Sequence, residues 1–307
     1  MKNVIKPINS HLLQKELTQQ NFLRKANRGG NELYVTDAHC APNIMREIGR
    51  LREIAFRKCG GGTGKSADID EFDLMDNPYK QLVVWNPQEH RILGGYRFQY
   101  GKDVKMDKQE QPSLVTSHLF HFSQKFTKDY LPQTIELGRS FVCVEHQATK
   151  DVRKSIYVLD NLWDGLLTLM AQDTSLKYFF GKVTMYQNYN RNARNTILYF
   201  LRKMFPDTDN LIQSKYPVEI DVDSHKMDEL FRYDNLKDNM KALYGEVRSF
   251  GVNIPPLFNA YMNLTPRMHS FGTAINSGFG NVEETAILIA EQDITEDKKK
   301  HHLELIS

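Results

Sequence analysis

The sequence lacks most of the features that indicate an exported, crosslinked or membrane-embedded protein. Its three cysteines, Cys40, Cys59 and Cys143, are scattered and odd in number, so they do not indicate a disulfide framework. No apolar run approaches the roughly 18–20 residues that a membrane span needs. The first residues, Met-Lys-Asn-Val-Ile-Lys, lack the apolar region of a signal peptide. We therefore expect a cytoplasmic protein that meets a membrane at most peripherally, at its inner face.

The chain also lacks a strong excess of one charge. Its formal net charge is +2, with 25% charged and 40% hydrophobic residues, values ordinary for a globular protein, so a nucleic-acid partner is not expected. The 307 residues suit one large domain with extensions. We expect a loosely attached N-terminal arm over residues 1–32, a main domain over 33–293 with helical elaboration near its end, and a frayed polar tail over 294–307.

Helical and strand patterns alternate along the main domain, which favours an α/β or α+β class. Apolar residues at helical spacing follow Pro42, and Gly60-Gly61-Gly62 ends this first helix. Turn residues between two strand patterns predict a hairpin. The strands are predicted at 33–35, 81–85, 92–100, 134–144, 179–186 and 285–290, and further helices at 113–130, 151–171, 192–205, 235–244 and 255–264.

The strand from Thr134 to Val144 carries two charges among apolar residues. Glu136 and Arg139 flank Gly138, a residue that weakens strands and often marks a bulge or the close approach of a ligand. A charge inside a buried strand costs several kcal/mol unless it is paired. Glu136 is therefore either a solvent-facing charge or an inward-facing site carboxylate, and we favour the second interpretation.

Three other patterns are weaker. Gly60-Gly-Gly-Thr-Gly-Lys-Ser66 resembles a phosphate-binding P-loop, but a helix precedes it where a strand is needed, so we expect a mobile surface loop. His118 and His121 could face one way on a helix, but no third ligand is evident and no metal is expected. Cys143 is better explained as a buried apolar thiol than as a nucleophile.

An acidic pair in the loop after the first helix could bind arginines from three predicted elements. Asp70 and Asp73 are the acids, and Arg52, Arg97 and Arg139 are the candidate partners. Each pair alone would be worth about 0–1 kcal/mol if it were exposed.

The order of these residues resembles two related families. Arg52-x-x-x-Phe56, Asp70-x-x-Asp73, Gly95-Tyr96-Arg97 and Glu136-x-x-Arg139-x-Phe141-Val142 are similar to acyl-homoserine-lactone synthases and to the hemolysin-like N-acyltransferases of ornithine and glycine lipids. Both belong to the N-acetyltransferase (GNAT) superfamily. Leu162-Trp163-Asp164-Gly165, Tyr178-Phe179-Phe180-Gly181 and the 254–261 segment resemble the aminolipid branch more, and the resemblance spans about 46–293.

The resemblance implies a twisted mixed sheet, mainly antiparallel and flanked by helices, in which two parallel strands splay apart; we place 136–144 and 179–186 there. It implies acyl transfer from acyl carrier protein to the α-amino group of an amino acid, glycine or ornithine. Glu136 would accept the amine proton, and backbone N–H groups near Phe141 and Val142 would stabilise the oxyanion. Arg139, with Arg52, Phe56, Asp70, Asp73 and Arg97, would hold or brace the amino-acid pocket.

The usual GNAT pyrophosphate loop is missing, because Gln147-Ala-Thr-Lys-Asp-Val152 has no glycine. This favours acyl-phosphopantetheine on the carrier over coenzyme A, with no tightly bound cofactor. Lys150, Arg153 and Lys154 are candidates to meet its phosphate and the acidic carrier, unless they form only a solvated basic turn.

Two alternatives stay open at this point. One is a lactone-forming signal synthase that uses S-adenosylmethionine, against which the absence of the usual tryptophan after the first helix counts. The other is a non-catalytic module that binds lipid or carrier protein on the same fold.

Overall fold

The computed structural model describes residues 1–146 and 152–303, without the side chains of residues 146 and 152–156. The chain forms two compact units. Unit 1 comprises Met1–Tyr100, Ile135–Leu176 and the C-terminal segment from Glu296; unit 2 comprises Gly101–Thr134 and Lys177–Thr295. The strands are β1 (Phe22–Lys25), β2 (Glu32–Thr36), β3 (Lys80–Asn86), β4 (Arg91–Tyr100), β5 (Phe120–Phe122), β6 (Thr134–Val142), β7 (Tyr178–Met185), β8 (Ile212–Ser214), β9 (His269–Asn276) and β10 (Val282–Ala290).

Helices account for much of the remaining chain. Pro42 occupies the first turn of the helix that the sequence predicted there, a position where its missing N–H costs no hydrogen bond. The helices are α1 (Ser10–Glu16), α2 (Pro42–Lys58), α3 (Glu71–Leu74), α4 (Val152–Gln172), α5 (Arg191–Met204), α6 (Ser224–Leu230), α7 (Leu236–Ser249), α8 (Pro256–Leu264) and α9 (Glu296–Leu303).

Unit 1 is built on antiparallel strands in the order β1-β2-β3-β4-β6. The pairing of Gln81 with Arg97, and of Gln99 with Glu136, places these polar side chains on one face of the sheet. The mainly antiparallel sheet flanked by helices, which the resemblance implied, is confirmed. The predicted β3–β4 hairpin and the charged strand β6 are confirmed as well.

Helices cover both faces of these strands. Arg52 of α2 hydrogen-bonds Gln81, so α2 lies on the polar face. On the other face α4 approaches closely, since a Cβ on Gly165 would lie 2.7 Å from the Leu82 side chain. A Cβ on Gly94 of β4 would likewise lie 2.7 Å from the Val158 side chain of α4. The polar side chains are thus enclosed between the sheet and α2.

A β-bulge interrupts the pairing of β4 with β6. Arg97 pairs with Gly138 and Gly95 pairs with Phe141, so Arg139 and Ser140 together oppose Tyr96 alone. Arg139 takes the left-handed backbone conformation, with φ of 50°, which is uncommon for a residue other than glycine. The bulge predicted from Gly138 is therefore present, and it changes the direction of the Arg139 side chain.

Unit 2 contains the antiparallel strands β7-β10-β9 and a separate pair, β5 with β8. Its core is rich in phenylalanine and includes Phe120, Phe122, Phe126, Phe180 and Phe271. The helix predicted over 113–130 is confirmed only in part, because Val115–His118 and Phe126–Tyr130 form short helical segments and a strand interrupts them. Phe120, His121 and Phe122 alternate between buried and exposed, as a strand requires, and pair with β8.

Both ends of the chain are attached to unit 1 more firmly than the sequence predicted. Glu16, in the expected arm, accepts hydrogen bonds from the backbone N–H groups of Asn43 and Ile44 and so caps α2. In the expected frayed tail, α9 forms and the His302 imidazole contacts the buried Asp164 carboxylate at 2.8 Å. Asp164 also accepts from the Asn27 backbone N–H at 3.0 Å. One carboxylate of α4 therefore contacts both the segment before β2 and α9.

None of the helices in the described part of the chain combines the length and the apolar character that crossing a bilayer requires.

Candidate active site

The charged residues singled out in the sequence meet on the polar face of the unit 1 sheet. The short helix α3 brings the acids there. Asp70 caps α3 by accepting from the backbone N–H groups of Phe72 and Asp73, at 3.1 and 3.2 Å. Asp73 reciprocates by accepting from the Asp70 N–H at 3.2 Å, which completes a capping box. Local backbone hydrogen bonds therefore position both carboxylates independently of the arginines.

Arginines from three elements converge on these acids. Arg97 of β4 lies 2.8 Å from Asp70 and 3.1 Å from Asp73. Arg52 of α2 lies 3.4 Å from Asp73, which also accepts from the Gln81 side-chain amide at 3.1 Å. The predicted association of Arg52 and Arg97 with Asp70 and Asp73 is thus present, and it is buried rather than exposed.

Arg139 reaches the same cluster from the bulge. Its Nε lies 2.9 Å from Asp68, and its terminal nitrogen lies 3.8 Å from Asp70. Asp68 is fully buried, and the sequence analysis did not select it. The sequence shows Asp70 and Asp73 as a pair because they are three residues apart. The role of Asp68 depends on the bulge that turns Arg139 towards it, which only the structure shows.

The cluster shifts the proton affinities of its members. Burial alone would raise the pKa of Asp73, but the charges of Arg52 and Arg97 lower it to about 2. Burial opposes the charge of Arg97, but Asp73 and Asp70 outweigh it and raise the Arg97 pKa further above its usual value. These groups therefore stay ionised at neutral pH and act as fixed charges rather than proton carriers.

Glu136 lies at the border of this cluster. Its side chain faces inward, since the residue is only 2% exposed, so the interpretation as a solvent-facing charge is wrong. The Tyr79 hydroxyl donates a hydrogen bond to Glu136 Oε2. Tyr79, which the sequence analysis missed, immediately precedes β3 and is itself buried.

Space is available beside Glu136 at Gly138. No described atom outside its two chain neighbours lies within 4 Å of the position that a Cβ would take. Gly138 lies opposite Arg97, on the same face of the sheet as Glu136. By contrast, the Phe141 ring packs over Gly95, where a Cβ would lie 2.9 Å from it. The Phe141 side chain thus contributes packing, and Val142 follows it opposite Gly94.

Other predicted site residues lie outside this cluster. Phe56 is buried one turn beyond Arg52 on α2. Lys150 lies outside the described residues, and Arg153 and Lys154 belong to α4 with side chains that are not described. Their predicted contact with a carrier stays a prediction.

The glycine-rich loop surrounds a carboxylate of the protein itself. Glu53 of α2 is fully buried and accepts from the backbone N–H groups of Thr63 and Gly64, at 3.0 and 2.7 Å. Burial raises the Glu53 pKa, but hydrogen bonds from Thr63 and Arg57 and from the loop backbone lower it overall. The donors that would cradle a phosphate in a P-loop are therefore already bound to an anion.

The histidine and cysteine alternatives can also be placed. His121 lies on β5 and His118 on the turn before it, so the helix that would align them is absent from this described segment. Burial raises the pKa of Cys143 to about 12, which leaves its thiol protonated and inert. Asp160, His301 and His302 bring ligand-type atoms within 4.8 Å of one another, and each imidazole contacts a carboxylate.

Comparisons with known proteins identify relatives of this chain. The family model described as "Acetyltransferase (GNAT) domain" matches residues 51–154. A glycine N(alpha)-acyltransferase of Phocaeicola vulgatus is 55% identical over 304 residues, covering 99% of this chain and 93% of the relative. One of Bacteroides thetaiotaomicron is 54% identical over the same length, covering 99% and 90%.

The chain belongs to the glycine N(alpha)-acyltransferase family. It is an acyltransferase with a GNAT domain, as the residue pattern implied. Among solved structures, a CoA-dependent acyl-homoserine lactone synthase matches with a TM-score of 0.43 and 11% identity over 90% of each chain.

Proposed function

We propose that this protein transfers a fatty acyl chain, 3-hydroxylated or not, from acyl carrier protein to the α-amino group of glycine, as a step in aminolipid synthesis. The observation that carries the proposal is near-full-length identity of 55% to a relative whose name specifies glycine N-acylation. The relatives' names favour glycine over ornithine as the acceptor.

The cluster supplies groups that this reaction needs. The glycine nitrogen attacks the thioester carbonyl carbon; the N–C bond forms, the C–S bond breaks, and the thiolate takes up a proton. Glu136 takes the proton that the amine loses, directly or through one water. Backbone N–H groups near Phe141 and Val142 stabilise the oxyanion. Arg52 and Arg97, buried and paired with Asp70 and Asp73, keep the acceptor pocket in shape, and Arg139, the most exposed of the three arginines, interacts with the glycine carboxylate.

The first experiment tests the reaction and its base. The purified protein, acyl carrier protein loaded with a fatty acid and glycine should yield N-acylglycine by mass spectrometry, and ornithine should react far more slowly. Glu136→Gln should lose roughly 10²–10⁴-fold in single-turnover rate, the range of general-base catalysis. Glu145→Gln, which removes an exposed carboxylate paired with Arg91, is the control and should keep full activity.

Each alternative has its own outcome in this assay. A fully active Glu136→Gln protein would exclude the base assignment. Lactone formation from S-adenosylmethionine would identify a signal synthase. Binding of the carrier without any turnover would identify a non-catalytic module.

The donor is a separate part of the proposal. The glycine-free segment 147–152 supports a donor with a single phosphate. The kcat/KM for acyl–acyl carrier protein should greatly exceed that for the same acyl group on coenzyme A; equal values would contradict the proposal. Reversing charge at Lys150, Arg153 and Lys154 should raise KM for the carrier with little change in kcat, whereas Lys226→Glu, an exposed control, should change neither.

We also propose a peripheral contact with the membrane, because an N-acylated amino acid is amphiphilic. Leu74, an apolar residue that is 57% exposed, ends α3, the helix that carries Asp73 and is capped by Asp70. Vesicles of anionic phospholipid should co-sediment the protein, and Leu74→Ser should weaken this. No co-sedimentation would contradict the contact without affecting the reaction.

A further inference from the structure

Tyr79, in the connection between α3 and β3, is held in place by contacts of both its backbone and its ring. Its backbone N–H donates to the Phe72 carbonyl at 2.9 Å. Its ring meets the Phe72 ring edge to face, with centroids 5.6 Å apart and planes at 82°. The residue is 2% exposed. Contacts on both the backbone and the ring therefore determine where its hydroxyl points.

The hydroxyl and the ring face connect two parts of the site. The hydroxyl donates to Glu136 Oε2, and the Arg97 guanidinium lies over the ring, 5.2 Å from its centroid. Arg97 in turn holds Asp70 and Asp73 of α3. Arg139 of β6 is connected to the same cluster through its contact with Asp70. The side chains of Gln81 and Gln99, on the same face of the sheet, carry no charge. Tyr79 thus joins the Glu136 carboxylate to the fixed ion cluster.

A phenol suits this place for a physical reason. A buried carboxylate needs hydrogen-bond donors to hold one orientation, because a carboxyl group that rotates spends little time aimed at the amine. A cation at this point would add a charge that holds the carboxylate in its ionised form and weakens it as a base. The Tyr79 hydroxyl gives direction without adding charge.

We propose that Tyr79 is a positioning residue that orients the Glu136 carboxylate for proton transfer and couples it to the Arg97 cluster. This inference rests on the proposed role of Glu136. Tyr79 does not exchange the proton itself; the proton moves from the amine to the Glu136 carboxylate.

The test removes one oxygen atom and has a matched control. Tyr79→Phe keeps the ring contacts and loses the donor. Tyr34→Phe removes another buried hydroxyl from a carboxylate in unit 1, that of Glu32 at 2.7 Å. Both variants should lose similar amounts of Tm. Tyr79→Phe alone should lose about 10- to 100-fold in single-turnover rate, the range for a misplaced catalytic group.

The pH profile separates positioning from general stability. Without the donor the Glu136 carboxylate takes up a proton more readily, so the acid limb of kcat/KM should move to higher pH in Tyr79→Phe and stay in place in Tyr34→Phe. In the Glu136→Gln background, Tyr79→Phe should add almost no further loss. An unchanged acid limb and rate, or the same fold-loss in both backgrounds, would overturn the proposal.

If Glu136 is not the base, the Glu136→Gln protein will be active, and this result distinguishes the two failures. The proposed role of Tyr79 would then be excluded as well. If Tyr79→Phe does not fold, 3-fluorotyrosine at position 79 keeps the shape and makes the hydroxyl a stronger donor. The acid limb should then move to lower pH, and no movement would overturn the proposal.

Discussion

Arg139 has a mostly buried charged side chain and a left-handed backbone conformation, which arginine rarely adopts. The left-handed conformation costs about 1–2 kcal/mol for a residue with a Cβ. Such strain persists where surrounding structure determines it, and here the bulge and the contacts with Asp68 and Asp70 do so. The guanidinium and the backbone should therefore have separable effects on stability.

Arg139→Ala and Arg139→Gly test this separation. Both remove the guanidinium and leave the buried Asp68 without its cation, which should cost about 3–5 kcal/mol of unfolding free energy. The sequence analysis paired Arg139 with Asp70 or Asp73; the structure shows Asp70 as a partner at 3.8 Å and adds Asp68 as a nearer one. Glycine should recover up to about 1 kcal/mol relative to alanine, because only alanine keeps the backbone strain. Urea unfolding of both variants measures the difference; equal stability would show that the bulge stores no strain.

Gly138 allows a test of where the acceptor binds. Its φ is not in the left-handed region and its Cβ position is open, so Gly138→Ala should fold with a Tm close to that of the parent. If glycine occupies the space beside Glu136, the added methyl should raise its KM about 10-fold or more, since overpacking by one methyl costs roughly 1–3 kcal/mol. Gly95→Ala, which would lie 2.9 Å from the Phe141 ring, should instead lose stability. Unchanged acceptor kinetics in Gly138→Ala would place the substrate elsewhere.

At the scale of elements, the best contrast between sequence and structure is α2 with the loop that follows it. The helix was predictable from Pro42 and from apolar spacing, and its position before the glycines excluded a P-loop context. The sequence could not show that Glu53 organises the loop, because the donors to its carboxylate come from residues 10 and 11 positions later. The expected mobile loop is instead bound at Thr63 and Gly64.

The loop should therefore neither bind ATP nor need its lysine. Lys65→Ala should leave transfer activity within a few-fold, and isothermal titration with ATP and magnesium should show no binding. Glu53→Gln is the informative comparison, because it weakens the acceptor for Thr63, Gly64 and Arg57 and should lower Tm. A tight, magnesium-dependent ATP affinity that Lys65→Ala abolishes would restore the P-loop interpretation.

Elements with long, regular patterns were predicted well, and those that depend on distant partners were not. The β3–β4 hairpin and α5 follow from local residues alone. The single helix predicted over 113–130 is interrupted because Phe120–Phe122 pair with β8, some 90 residues away, and local residues do not show that pairing. Tyr79 and Asp68 were missed for the same reason, since their partners lie on β6.

For the whole molecule, the buried charges predict how stability depends on pH. The Asp73 pKa is about 2 in the folded protein against 3.8 as the ordinary value. A lowered pKa contributes stability that is fully present above the unfolded value and is lost as pH falls through the folded value. We expect the unfolding free energy to fall by about 2 kcal/mol from this group between pH 5 and 2.

Urea titrations at pH 5, 4 and 3 measure this slope. Asp73→Asn should be less stable at pH 5, because Arg52 and Arg97 lose their partner, and should lose less on acidification. Asp238→Asn removes an aspartate from an exposed pair with Lys241 and should keep nearly the parental slope. A parental slope in Asp73→Asn would assign the acid sensitivity to other carboxylates.

The bulge in β6 also shifts, by one residue, the alternation of side chains between the two faces of the sheet. Glu136 and Gly138 point to the polar face from even positions, whereas Phe141, opposite Gly95, returns to that face from an odd one. Deleting Ser140 would restore uniform alternation and keep Phe141 opposite Gly95, but Arg139 would then point to the side of the sheet opposite Glu136, away from Asp68. Evolution can therefore exchange side chains within this segment much more easily than it can alter the number of residues between the base and the proposed oxyanion donors.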